Sequence, residues 1–115
     1  MEQAQQPESQ EVKVYIYEYE DGRVHVEPGR VVVPRGATLV WENLTNDSVQ
    51  IHFPEPDLFH PPTPMLALPA NGQSRSLTVA EEASRGGHSY GGVRHGPGRL
   101  PELLVGGSTP VMIVR

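Results

Sequence analysis

Cysteine is absent from this sequence, which excludes both disulfide bonds and thiolate metal ligands. Positive charge is also scarce: 9 Lys and Arg residues stand against 14 Asp and Glu residues, and no basic cluster occurs. Binding to nucleic-acid phosphates needs concentrated positive charge, so nucleic acid is not an expected partner. No apolar run approaches the roughly 20 residues that cross a bilayer, so no membrane partner is expected either.

The first ten residues differ in composition from the rest. Residues 1–10 are rich in Gln and Glu and show no buried-face pattern, so we predict a flexible tail followed by one domain over residues 11–115. The tail lacks the basic start and apolar centre of a secretion signal. The expected location is therefore cytoplasmic, with a periplasmic or secreted location as the alternative if a signal was removed.

Glycine and proline, 12 of each, stand singly or in pairs between short apolar runs, which is how turn residues are distributed. Those runs alternate with polar residues at the period of two that is typical of strands. In residues 31–53, Leu39 and the only tryptophan, Trp41, share one strand face, and Trp41 is the predicted centre of the core. About eight strands in an antiparallel β-sandwich are expected.

Two segments depart from this pattern. Residues 54–64 contain five prolines and are predicted to form a long surface loop, because proline lacks the N–H that a sheet ladder needs. Residues 80–84 are predicted to form a turn of helix from their propensity. His88 to Val93 is predicted to be one strand, residues 94–107 a glycine-rich loop, and residues 111–114 a central strand buried on both sides.

Six segments follow one another in a characteristic order. They are the Pro-Arg-Gly turn at 34–36, the strand at 40–43, the strand ending at His52, the alternating strand at 74–79, the Gly-His-Ser-Tyr segment at 87–90, and the Ser-Thr-Pro turn at 108–110 before the last strand. This order resembles that of a cupredoxin, and the resemblance implies an all-β, Greek-key, cupredoxin-like sandwich.

The resemblance also implies a copper site that this chain does not complete. Electron-carrying cupredoxins hold copper by an early histidine, a cysteine, a second histidine and usually a methionine. His52 fits the first position and His95 would at best occupy the second, but no cysteine exists, and Met112 lies inside the last strand. Because a blue-copper centre depends on a Cu–thiolate bond, electron transfer of this kind is excluded.

Imidazoles alone leave one metal hypothesis. His52, His60, His88 and His95 would bind Cu(II) or Zn(II) if they converged at one end of the sandwich. No pair has a tight metal-ligand spacing, and surface histidines are the alternative interpretation. The first expectation is that the protein has no cofactor, with copper or zinc as the alternative.

Two further motifs have structural interpretations. Gly87 to Gly91 matches the Gly-x-Ser-x-Gly elbow of serine hydrolases, but the glycines that follow cannot form the helix that this elbow requires, so no enzyme is expected. Asn43 and Asn46 each begin a glycosylation pattern, and both are interpreted as turn residues.

These observations predict a non-enzymatic binding or interaction module whose protein or small-molecule ligand is unknown. The loops at 54–64 and 94–107 are expected to lie at the His52 end and to form the contact surface. The alternative function is a histidine-only copper or zinc carrier. Tyr15, Tyr17 and Tyr19 share one strand face, which either serves a homodimer or is simply half exposed.

Overall fold

The computed structural model describes residues 10–97, 100–103 and 110–115. Within these ranges the chain forms strands and one short 3-10 turn, Pro56–Leu58. None of the described segments forms a helix with the length and apolar character needed to span a membrane. The strands are β1 (Glu11–Glu18), β2 (Val24–Glu27), β3 (Arg30–Val33), β4 (Thr38–Asn43), β5 (Ser48–His52), β6 (Met65–Leu68), β7 (Gln73–Thr78), β8 (Gly86–Ser89), β9 (Gly91–His95), β10 (Glu102–Leu103) and β11 (Val111–Val114).

The strands form three hydrogen-bonded groups, in the orders β2-β1-β4-β7, β10-β9-β5-β6 and β3-β11-β8. The predicted all-β sandwich is therefore confirmed. The described strands number eleven, against about eight predicted, and two pairings, β1 with β4 and β3 with β11, are parallel. A hairpin joins only antiparallel neighbours, and the partners in both parallel pairs are far apart along the chain.

Trp41 lies at the centre of the core, as the sequence predicts. Its side chain is fully buried on the inward face of β4, in register with Val14 of β1. The ring centroids of Phe53 and Tyr90 lie 5.7 and 5.3 Å from that of Trp41, and both rings meet it edge-on. Phe59 extends the cluster, with its centroid 4.6 Å from that of Phe53. Edge-on aromatic pairs stabilise a core beyond the area that they bury.

The predicted single strand at residues 88–93 is wrong, because the strand is interrupted at Tyr90 and the chain passes from one sheet to another there. β8 before it pairs with β11, whereas β9 after it pairs with β5. Tyr90 turns inward at this crossing, where burial raises the pKa of its phenol. Of residues 94–107, the described part contains the end of β9 and the short β10. β11 is central, as predicted, but its residues alternate between buried and half-buried.

Asn43 ends β4 and organises the turn that follows. Its side chain is fully buried, and its amide nitrogen donates to the carbonyls of Asp47, Leu68 and Pro69. Its amide oxygen accepts from the backbone N–H and the hydroxyl of Thr45. Asn43 thus ties the β4–β5 turn to the end of β6, which confirms that it is a turn residue.

Arg94 occupies an inward position of β9 and is only 2% exposed. Its guanidinium donates to the carbonyl of Gly22 and to a carboxylate oxygen of Glu18, at 3.2 and 3.4 Å, and it lies 3.8 Å from a carboxylate oxygen of Asp47. Because buried charges require partners, this arginine connects β9 to the β1–β2 and β4–β5 turns.

Candidate functional site

The segment after β5 folds back onto the segment after β7. Phe59 forms an isolated antiparallel bridge with Val79, and the backbone N–H of His60 donates to Thr78 while that of Ala80 donates to Leu58. The predicted surface loop at 54–64 is therefore fixed to the sandwich, and Leu58 and Phe59 within it are buried. These hydrogen bonds place residues 54–62 opposite residues 80–84.

The prediction of a helical turn at residues 80–84 is wrong. The segment forms a non-helical turn in which the backbone N–H of Ala83 donates to the carbonyl of Ala80. Arg35, from the turn before β4, donates through Nε to the Ala83 carbonyl at 2.8 Å. Such a short segment takes the conformation that its neighbours impose, because an isolated helical turn is unstable in water.

A concavity of about 630 Å³ lies between these two segments, and we call it the groove. Its floor includes the buried side chains of Leu58, Phe59 and Ala83. Its rim carries prolines, exposed carboxylates and one imidazole. The complete lining consists of residues 54–60, 62, 80 and 82–84.

His88 contacts one residue from each side of the groove, Glu55 and Ser84. Its side chain is buried, with Nδ1 3.0 Å from a carboxylate oxygen of Glu55 and Nε2 2.8 Å from the carbonyl oxygen of Ser84. Both partners are acceptors, so both ring nitrogens act as donors only in the imidazolium form. Burial alone would lower the pKa of His88, but the hydrogen bonds to Glu55 and Ser84 and the charge of Glu55 outweigh it and raise that pKa above 6.5.

Raising the pH is expected to remove the contribution of the His88 proton to stability. Because the pKa is higher in the folded chain, the proton stabilises the fold fully below the ordinary value of 6.5, and this stabilisation is lost as the pH rises through the folded-state pKa. The measurement is an NMR titration of the imidazole, with chemical unfolding at about pH 5.5 and about pH 8.5.

Two variants test the cause of this shift. Glu55→Gln keeps a hydrogen-bond acceptor but removes the charge, so the pKa of His88 should fall below that of the wild type. Glu27→Gln neutralises an exposed carboxylate on β2 and serves as the matched control. A wild-type His88 that titrates at or below 6.5 would contradict the assignment.

The histidine-only metal hypothesis requires its histidines to converge at one end of the sandwich, and His52 and His95 do not. In the antiparallel ladder of β5 and β9, His52 pairs with Gly91 whereas His95 pairs with Ser48. The two histidines therefore stand at opposite ends of the ladder, four residues or about 13 Å apart along the strand direction. Because β9 runs antiparallel to β5, it starts beside His52, where β5 ends, and carries His95 to the end where β5 starts.

The remaining predicted ligands also lie apart. His60 is exposed on the groove rim, and neither nitrogen of His88 offers a lone pair to an ion while it donates to Glu55 and Ser84. In the described ranges, no three His, Asp or Glu side chains are grouped so that they could hold a metal ion.

The described parts of the two predicted contact loops leave the β5–β9 ladder at different ends, and residues 98–99 and 104–107 of the second loop lie outside the described residues. The segment at 54–64 follows His52, while the described residues after His95 leave from the opposite end of the β5–β9 ladder. β10 then returns along β9, with Glu102 in register with Arg94. Among the described residues, the hydrogen-bonded partner of the 54–62 segment is the segment after β7.

The tyrosine face contains a histidine that the sequence did not single out. The ring of His25 stacks on Tyr17 at 5.9 Å between centroids and packs at 4.9 Å against Tyr19, which is 54% exposed. The face is thus partly covered by contacts within the chain. A homodimer through Tyr15, Tyr17 and Tyr19 stays a prediction.

The comparisons with known proteins identify the fold. No family model matches the chain, and no curated protein shows a significant match. Among solved structures, the chain is similar to a purple cupredoxin from Nitrosopumilus maritimus, with 16% identity, 90% of this chain and 99% of that chain covered, and a TM-score of 0.53. The fold is therefore cupredoxin-like, as the sequence resemblance implies.

Sequence reasoning missed the residues that build the groove. Leu58 and Phe59 were assigned to a surface loop because five prolines surround them, although two adjacent apolar residues there were a signal of burial. The contacts of His88 with Glu55 and Ser84 carried no sequence signal, because Glu55 is 33 residues away along the chain.

Proposed function

We propose that the chain is a non-enzymatic binding module whose ligand occupies the groove between residues 54–62 and 80–84. The groove itself is the supporting observation: about 630 Å³ of space over a buried apolar floor, on a rigid sandwich. Ligand sites are concave, largely pre-formed and of this size, and loops on rigid scaffolds are where binding is commonly placed.

The chemistry around the groove favours binding over catalysis. The imidazole of His88 is buried, is not among the groove-lining residues, and has an acceptor within hydrogen-bond distance of each nitrogen, which supports a structural role for it over that of a general base. Ser89, the serine of the Gly-x-Ser-x-Gly match, ends β8, and a strand follows it instead of the helix of a nucleophile elbow.

The test is fragment binding to the ¹⁵N-labelled protein, followed by NMR. Aromatic and amine fragments are expected to shift the amide signals of residues 54–62 and 80–84, with dissociation constants of about 1 mM. Ala80→Trp fills the groove with an indole ring and should weaken this binding by about tenfold or more.

Ala67→Trp is the matched control, because Ala67 is exposed on β6 and lies outside the groove lining. The control should leave fragment binding unchanged. Shifts that cluster on the β1–β2 hairpin, or fragment binding that survives Ala80→Trp, would count against the groove as the binding site.

A further inference from the structure

The groove continues into a second concavity, which makes the combined site elongated. The second concavity measures about 410 Å³ and shares His60, Ala80 and Glu82 with the first. It extends along the β7 end to Gly36 in the turn before β4. Two adjoining concavities that share lining residues match an extended chain segment better than a compact small molecule.

The Asp and Glu side chains that line this elongated site are its charged lining residues, apart from the imidazole of His60. Glu55, Asp57 and Glu82 line the first concavity, and Glu81 and Glu82 line the second. No Lys or Arg belongs to either lining as far as the structure describes the chain. All three acids of the first concavity are exposed; the carboxylate of Glu55 contacts His88, and Asp57 and Glu82 are the other two.

The apolar groups lie between and below these acids. Leu58, Phe59 and Ala83 form the buried floor, and Pro54 and Pro56 stand on the rim. A guanidinium suits such a surface better than an ammonium, because its planar fork binds carboxylates in a bidentate manner and it is weakly hydrated. The apolar floor would accept an apolar side chain beside such a guanidinium.

We propose that the occupant of the groove is an extended segment of a protein partner that carries arginine beside an apolar residue. The inference rests on the proposed function and adds the chemical class of the ligand. The arginine lies between Asp57 and Glu82, and the apolar neighbour covers Leu58 and Ala83. Charge complementarity of this kind sets specificity and association rate more than affinity.

The test begins with selection of a random-peptide display library on the wild-type protein. The retained peptides are expected to be enriched in arginine next to apolar or aromatic residues. Replacing that arginine by citrulline removes the charge at nearly constant shape, and fluorescence anisotropy should show about tenfold weaker binding. Raising the salt concentration should weaken the arginine peptide more than the citrulline peptide.

Matched charge variants of the protein locate the effect. Asp57→Asn with Glu82→Gln removes two groove carboxylates and should weaken the arginine peptide by about tenfold. Glu20→Gln with Glu27→Gln removes the same charge from exposed positions of the β1–β2 hairpin and should change binding less than about twofold.

Four results would overturn the proposal: peptides that are neutral or acidic, equal weakening by both double variants, no loss with citrulline, or no retained peptide. The fragment experiment with Ala80→Trp decides the proposed function independently. If fragments bind the groove but no basic peptide is retained, the proposed binding function stands and only the arginine-containing class of ligand is rejected.

Discussion

Trp41→Ala is expected to lower the free energy of unfolding by about 4 kcal/mol, because it empties the centre of the core. The indole is fully buried and meets Phe53 and Tyr90 edge-on at 5.7 and 5.3 Å. Its removal deletes those aromatic contacts and leaves a cavity that surrounding strands cannot close, since three sheets fix their positions. Urea unfolding followed by circular dichroism measures the change.

Two variants frame this result. Trp41→Phe keeps an aromatic ring in the cluster and should cost about half as much as alanine. Leu44→Ala, at a position that is 49% exposed, should change stability by less than about 0.5 kcal/mol. A Trp41→Ala protein within about 1 kcal/mol of the wild type would show that the cluster does not carry the core.

Asn43→Ala is expected to cost about 3 kcal/mol, although asparagine is not an apolar core residue. The substitution removes the donor for three carbonyls, those of Asp47, Leu68 and Pro69, and the acceptor for Thr45. Because Asn43 is fully buried, those groups lose their partner at a place that water reaches poorly. The measurement is the same urea unfolding.

Asn46 supplies the matched control within the same turn. Asn46 is exposed, and within the described residues its side chain forms none of the hydrogen bonds that hold Asn43. The free energy of unfolding of Asn46→Ala should therefore stay within about 0.5 kcal/mol of the wild-type value. Equal costs at the two positions would mean that general turn propensity, and not the buried network of Asn43, stabilises the β4–β5 turn.

Strand-level features were predictable because they are local. Leu39 and Trp41 share a face because strand side chains alternate with a period of two. The Pro-Arg-Gly sequence predicts the turn before β4, where Gly36 has a φ of +81° that favours glycine. The class of fold follows from many such segments. The break at Tyr90 was not predictable in this way, because glycines lie on both sides of it, in β8 and in β9, and neither a proline nor a turn pair marks Tyr90 itself.

The histidines show where local reasoning ends. The sequence predicts a strand ending at His52, and β5 ends there, but the distance of His52 from His95 depends on the direction in which β9 runs beside β5. His88 was a candidate ligand by residue type, whereas both of its ring nitrogens contact acceptors, on Glu55 and Ser84, and join the two walls of the groove. Residue type limits the possible chemistry, and neighbours select among the possibilities.

The sequence by itself determined the β class, the tryptophan-centred core and the absence of a thiolate copper site. These properties depend on composition and on a two-residue repeat that each strand carries alone. Only the tertiary structure decided where a ligand can bind. The groove exists because Phe59 pairs with Val79, 20 positions further along the chain, and because His88 joins its two walls. Contacts between residues so far apart along the chain follow from the packing of the whole domain, and no local sequence pattern predicts them.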